Sequence, residues 1–267
     1  MNRIANVFQY YAQQDTRVFI PYITAGDPTL RKTAEILAIF ATHGADIIEV
    51  GVPFSDPMAD GPVIQNAMER ALSGGTTLRK ILETIRTFRF EYETPIILMG
   101  YYNSFYAYGL EEFSRDAQRA GVDGVLTVDL PPEEAEEFRN ALMKHDVRSI
   151  FLLTPVSDWE RIQAVKKMAD GFVYFVSVTG VTGERETLPD EIGKKMTEIR
   201  REIPLPLVLG FGISKPDIVE RFYSCADGFV VGSALIKRWQ DAGWDEQSPD
   251  FRDFLSRMIH ACHRDSL

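Results

Sequence analysis

Eight short apolar runs punctuate the chain. They are Arg17–Thr24, Asp46–Gly51, Pro95–Tyr102, Gly124–Asp129, Ser149–Thr154, Phe172–Ser177, Leu205–Gly212 and Gly228–Ser233. Each is continuously apolar rather than alternating, which is the pattern of a strand covered on both faces, as in a parallel sheet. Between them, stretches such as 29–44, 61–72, 132–146 and 158–169 carry apolar residues three and four positions apart with charges elsewhere. That spacing predicts amphipathic helices. Ile4, Val7, Phe8 and Tyr11 follow it too, and predict an extra helix ahead of the first strand. Alternation of strand and helix repeated this often means βαβ units and a parallel sheet.

A weak internal repeat sharpens the picture. The phrases GADII, GVDGV, MADGF and CADGF, at Asp46, Asp123, Asp170 and Asp227, open the second, fourth, sixth and eighth runs. A phrase returning at every second strand fits duplicated double βα units. Eight units in 267 residues suit a single (β/α)8 TIM barrel, whose usual length is ~250 residues. An open doubly wound sheet would carry a Gly-rich fingerprint after its first strand; here that strand runs into TAGDP. We therefore expect one α/β barrel domain over residues 1–267, with the N-terminal extra helix and a short extra helix after strand eight.

Composition narrows the partners. The formal net charge of −10 repels a polyanion, and no basic stripe with interleaved aromatics is present, so nucleic-acid binding is disfavoured. A small anion would have to be held by local backbone N–H groups. No apolar run reaches the ~18 residues of a membrane span, and the N-terminus lacks the apolar core of a signal peptide. Cys225 and Cys262 make no metal-ligand pattern. Reduced thiols in the cytoplasm are the expectation.

In a barrel the active site lies at the C-terminal ends of the strands. Glu49 falls there, inside the second apolar run, and Asp60 follows in a loop rich in Pro, Gly and Asp. A Glu among apolar neighbours Ile48 and Val50 would have its anion disfavoured and its pKa raised toward the range of proton transfer, while Asp60 stays ionised. The alternative is a Glu49 exposed at the strand mouth and an Asp60 that only caps the next helix. Three glycine-bearing turns, SVTGVTGE, GFGIS and VVGSALI, follow the last three strands. Glycines allow close backbone approach and helix N-termini bind anions, so the trio points to a phosphorylated small molecule. Tyr22, Met99, Tyr101, Leu126, Leu152, Tyr174 and Phe211 all sit near strand ends. Singly these are core residues; together they could line a pocket for a flat aromatic group. The four histidines fall on helices or their ends, so neither a histidine triad nor a zinc site is expected.

The segments FIPYITAGDP, ADIIEVGVPFSDPMADGPVIQ, SVTGVTG, GFGIS and VVGSALIK resemble, in order and spacing, the signature segments of the tryptophan synthase alpha chain family. The resemblance implies a (β/α)8 barrel that cleaves indole-3-glycerol phosphate to indole and glyceraldehyde 3-phosphate. It implies no metal or organic cofactor on this chain, with pyridoxal phosphate only on a beta chain partner in an αββα heterotetramer. Residue by residue, it implies Glu49 as the general acid/base, Asp60 as the acceptor of the indole N–H, and Tyr174 beside the glutamate. Gly183, Phe211, Gly212, Gly232 and Ser233 match the phosphate site, and Tyr22, Met99, Tyr101, Leu126 and Leu152 the indole pocket. Pro53 and Asp56 match the partner-contact loop, and Thr182 the loop that closes over substrate. The sequence departs from the family pattern at Tyr22, Met58, Ser104 and Val178. Two other readings compete: another phosphate-binding barrel of tryptophan biosynthesis, or a subunit that only activates a partner. Ring-closing synthase chemistry would want a lysine at a strand end, and no predicted strand ends in one.

Overall fold

The structure is a computed structural model, and it describes residues 2–176, 190–210 and 212–264. Eight parallel strands close on themselves: β1 (Val18–Thr24), β2 (Ile48–Gly51), β3 (Ile96–Gly100), β4 (Gly124–Thr127), β5 (Arg148–Leu153), β6 (Val173–Val176), β7 (Leu207–Gly210) and β8 (Gly228–Val231). Seven of the eight predicted runs contain their strands, and the fifth is shifted by one residue, β5 starting at Arg148 rather than Ser149. Twelve helices surround the barrel among the described residues. α1 (Arg3–Gln13) precedes β1, and α2 (Leu30–His43) follows it. α3 (Pro62–Ser73) and α4 (Leu78–Phe88) both follow β2, and α5 (Tyr102–Tyr108) and α6 (Leu110–Ala120) both follow β3. Single helices follow the next four strands: α7 (Glu136–Lys144), α8 (Trp159–Met168), α9 (Asp190–Glu202) and α10 (Pro216–Phe222). α11 (Ser233–Asp241) is the short extra helix after β8, and α12 (Pro249–His263) closes the ring. The doubled helix after β3 was not foreseen. Gly109, at φ 94°, ends α5 and lets α6 start at the next residue; a single Gly inside otherwise helical sequence reads poorly as a break.

Two apolar layers follow from strand alternation. Phe19, Ile48, Val50, Leu98, Phe151, Phe175, Leu209 and Phe229 face outward and pack with the helices. Ile20, Tyr22, Ile97, Met99, Leu126, Ile150, Tyr174, Val208 and Val230 face the lumen and fill it. α1 covers the N-terminal end of the barrel. Its Ile4 and Phe8 are buried in the lumen cluster, with the Phe8 ring 5.6 Å from that of Phe172. Asn2 caps α1 by accepting from the Ile4 N–H, and its amide donates to the Asp123 carbonyl.

The recurring Asp phrase acquires a physical meaning at this same end. The Phe19 N–H donates to the Asp46 carboxylate at 2.7 Å, Ile96 N–H to Asp123 at 2.9 Å, and Leu207 N–H to Asp227 at 2.8 Å. In return, the Asp46, Asp123 and Asp227 N–H groups donate to the Phe19, Ile96 and Leu207 carbonyls. Each Asp thus clips the start of its own strand to the strand before it. Asp170 keeps the backbone half, its N–H donating to the Ser149 carbonyl, while its carboxylate pairs with the Arg148 side chain instead. The repeat is a device for stability at the N-terminal face, where barrels carry no chemistry.

Asp123 is the most invested of the four. Arg89 donates to it at 2.8 Å and Arg3 at 3.2 Å; Asp123 is buried and the Arg89 side chain is only 9 % exposed. Burial pushes the Asp123 carboxyl up and the Arg89 guanidinium down in spite of the pairing. Removing one partner therefore strands a buried charge. Asp123→Ala is expected to cost about 3–5 kcal/mol in chemical denaturation. Asp170→Ala, at a partly exposed pair, should cost less than about 1 kcal/mol.

Candidate active site

The opposite end of the barrel gathers the polar groups that the strand pattern cannot explain. Glu49 lies on β2 with Tyr22 of β1 and Ile97 of β3 as its register partners. Its side chain faces the lumen and is 0 % exposed. Ile48 and Val50, expected to supply its apolar surroundings, face the helices instead. The apolar walls come from neighbouring strands, because adjacent residues of one strand point to opposite faces. Neither carboxylate oxygen of Glu49 has a hydrogen-bond partner among the described residues. Burial, and after it the nearby charge of Asp60, raises its pKa from 4.5 to about 8. A carboxyl in this position holds its proton at neutral pH.

Asp60 is brought in by the loop after β2. Its N–H donates to the Pro57 carbonyl at 3.1 Å, and the Gln65 amide of α3 donates to the Asp60 carbonyl at 2.8 Å. The side chain turns inward, 3 % exposed. It does not cap α3: the N-cap is Gly61, which makes no side-chain cap bond. The Tyr101 hydroxyl instead donates to Asp60 Oδ2 at 2.7 Å. Burial raises the Asp60 pKa, and that hydrogen bond opposes the rise. Glu49 exposed and Asp60 as a plain cap are both excluded.

Two tyrosines pack around the carboxylates. Tyr22 and Tyr174 are fully buried, and burial and the fields of Glu49 and Asp60 push both phenols well up, so they remain neutral donors. The Tyr22 hydroxyl lies 3.3 Å from Thr24 Oγ1. Each ring is seated over a strand-end glycine. A Cβ on Gly51 would come within 2.1 Å of the Tyr22 hydroxyl oxygen, and one on Gly210 within 2.2 Å of that of Tyr174. Gly51, Gly210 and Thr24 were missed in the sequence. Gly51 and Gly210 end otherwise apolar strands, the one signal that something closes over the backbone there. Met99 and Leu126 are buried register partners, and Leu152 pairs with Tyr174 and is partly buried. The expected aromatic pocket residues thus share one lumen cluster.

On the β7–β8 side, Gly212 has φ 78°, and Gly232 is the N-cap of α11. The Gly232 carbonyl takes the Leu235 and Ile236 N–H groups. Helix geometry leaves those of Ser233 and Ala234 without an intrahelical acceptor. Gly232 lies against Tyr22, a Cβ there coming within 3.2 Å of the ring, so this turn adjoins one of the two tyrosines packed around the carboxylates. Phe211, Thr182 and Gly183, with the rest of SVTGVTG, lie outside the described residues. In the β2 loop Pro53 is buried, whereas Asp56 is exposed and Met58 is 83 % exposed. Of the two expected contact residues only Asp56 offers its side chain to the surface. No helix among the described residues is long and apolar enough to cross a membrane.

A closed parallel barrel whose C-terminal mouth holds a protonated, unpaired glutamic acid beside a tethered aspartate defines a barrel enzyme of the proton-transfer class. The comparisons specify which. The sequence model described as "Tryptophan synthase alpha chain" matches residues 8–258. The tryptophan synthase alpha chain of Geotalea uraniireducens is 52 % identical over 258 residues, covering 97 % of each chain. That of Geobacter sulfurreducens is 49 % identical over 98 % of this chain and 99 % of its own. Tryptophan synthase subunit alpha from Legionella pneumophila superposes with a TM-score of 0.90 at 37 % identity, covering 99 % of each chain. In the tryptophan synthase complex of Pyrococcus furiosus the matching chain gives 0.83 at 36 % identity, covering 92 % of this chain and 98 % of that one. The chain belongs to the tryptophan synthase alpha chain family.

The buried glutamic acid has a consequence for stability. Unfolded, a Glu ionises near 4.5; folded, this one ionises at about 8. A raised carboxyl pKa means that its contribution to stability is greatest below pH 4.5, falls as pH rises, and levels off above about 8. Glu49→Gln removes that dependence. Relative to its parent, the variant should gain about 3 kcal/mol between pH 4 and pH 7, measured as the difference between two denaturation curves at each pH.

Proposed function

We infer that this chain is the alpha subunit of tryptophan synthase, a lyase that cleaves indole-3-glycerol phosphate to indole and glyceraldehyde 3-phosphate. The observation that carries the assignment of roles is Glu49: a buried carboxyl with no partner among the described residues, protonated at neutral pH, at the end of β2 beside Asp60. The bond to be broken joins indole C3 to a glycerol carbon, and C3 leaves only once it is protonated. Glu49 supplies that proton. The ring nitrogen then carries positive charge, and Asp60 accepts a hydrogen bond from its N–H. The resulting Glu49 carboxylate takes the proton of the glycerol hydroxyl. The C–C pair flows back into the ring, releasing indole and leaving an aldehyde. The glutamic acid ends as it began, so one side chain serves as acid and then base. Tyr22 and Tyr174 line the walls, the Gly232–Ser233 turn takes the phosphate with Gly212, and Met99, Leu126 and Leu152 enclose the indole.

The same reading extends to the assembly. A neighbour in structure is the alpha chain of a Pyrococcus furiosus complex described as a2b2, which supports an αββα heterotetramer with a beta chain here. Pyridoxal phosphate would sit on that beta chain and no organic cofactor on this one, in a cytoplasmic setting. The exposed Asp56 and Met58 share the loop that carries Asp60, so a partner pressing on this loop would favour the geometry that cleaves.

Product analysis with indole-glycerol phosphate, with and without a beta chain, tests the reaction and separates it from a merely activating subunit. Indole and glyceraldehyde 3-phosphate should appear with the parent chain; their absence in both conditions would leave only the activating role. Glu49→Gln should retain substrate binding and lose cleavage by at least ~10²-fold. In the parent, kcat/KM should fall above about pH 8, as Glu49 loses the proton it must donate. Asp56→Ala should leave the lone chain's rate nearly unchanged and lower its maximal activation by saturating beta chain; equal activation would show that Asp56 does not couple.

A further inference from the structure

Tyr101 was expected only to wall the indole pocket, yet both of its hydrogen-bonding capacities are used elsewhere. The Ala59 N–H donates to its hydroxyl oxygen at 3.0 Å, and the hydroxyl donates to Asp60 Oδ2 at 2.7 Å. Because the oxygen already receives the Ala59 proton, its own single proton is committed to Asp60, and the direction of the chain is fixed. The ring stacks on Phe54 of the same loop, with centroids 4.9 Å apart and planes at 19°. Tyr101 itself directly follows Gly100, the last residue of β3, and is the N-cap of α5. It therefore ties the loop at both of its functional ends, Phe54 and Ala59–Asp60, to the junction of β3 and α5. Asp60 Oδ1, by contrast, is buried with no partner among the described residues.

We propose that Tyr101 is a positioning residue for Asp60: by occupying Oδ2 it presents Oδ1 as the single acceptor for the indole N–H. This rests on the reaction assigned above. A carboxylate free to rotate would offer either oxygen and spend part of its time misaligned. One oxygen pinned from a residue held at the end of β3 aims the other, and reorganisation is spared when charge develops on the ring nitrogen. The groups facing Asp60 are Tyr22 from β1, Glu49 from β2, Tyr101 from the end of β3 and Tyr174 from β6. Among them Tyr101 is the hydrogen bond that holds the Asp60 pKa down.

Tyr101→Phe keeps the ring and its stack on Phe54 while deleting both hydrogen bonds. Cleavage of indole-glycerol phosphate should fall by roughly 10-fold or more in kcat, with a smaller change in KM. The acid limb of kcat/KM should move up as Asp60 becomes easier to protonate, while the alkaline limb set by Glu49 stays in place. A merely structural role would lower the rate without moving the limb. In an Asp60→Asn background, Tyr101→Phe should have little further effect, because both act on one step. If the parent chain does not cleave, the reaction assignment falls and takes this proposal with it. If the parent cleaves and Tyr101→Phe matches its rate and pH profile, or its loss multiplies fully with that of Asp60→Asn, the proposal alone is overturned.

Discussion

Everything at the mouth of this barrel depends on keeping water away from one carboxyl. Glu49 is enclosed by side chains from neighbouring strands, not by its own sequence neighbours. Without partners, its anion is costly and its proton is held. The residues that enclose it are therefore part of its chemistry. Tyr22 and Tyr174 cover it from two sides and bring hydroxyl groups that do not ionise, so they add polarity without adding charge. Their hydroxyl ends come this close to the backbone only because positions 51 and 210 lack a Cβ. Two glycines at strand ends thus help to determine the protonation state of a glutamic acid they do not touch by hydrogen bond.

Such a site weakens the fold, and the opposite end of the barrel offsets it. At the N-terminal face every second strand begins with an Asp, and in three of the four cases the carboxylate takes a backbone N–H from the preceding strand. Those carboxylates are fully used. At the C-terminal face, among the described residues, Asp60 is left partly and Glu49 wholly unpaired. The contrast between satisfied and unsatisfied acidic groups along one barrel axis separates stability from reaction. It also explains why a duplicated sequence phrase survives at one end, where each repeat has the same task, while the strand ends at the other face diverge.

The same contrast governs what could be read from the sequence. Continuous apolar runs and helical spacing located all eight strands, because burial on both faces leaves no other composition. Glu49 stood out for the converse reason: a charged residue within such a run needs an explanation. The Asp phrase revealed the duplication but not its purpose, since the backbone partner lies on another strand. Tyr101 looked like any aromatic at a strand end. Its role depends on a loop whose fold is fixed by Pro57, Gly61 and Gln65 together, and no periodicity reports that. The short α5 was hidden by a glycine that ends one helix and starts the next. Apart from that local break, what escaped sequence reading was contact between segments distant along the chain.

The loop from Val52 to Asp60 joins the two carboxylates and has two unlike sides. Its inner side is tethered: Pro53 is buried, Phe54 stacks on Tyr101, and Asp60 receives a hydrogen bond from the same ring. Its outer side presents Asp56 and Met58. A group that binds the outer side cannot move the sheet, but it can change how often the tether is made. Its leverage is limited to the difference between its affinities for the tethered and untethered loop. The tether is already formed in this lone chain, so a partner need not create the geometry of Asp60. It need only raise the population of an arrangement that the chain builds for itself. On this view no partner residue has to enter the site, and the acid that starts the reaction stays within the barrel's own water-excluded interior.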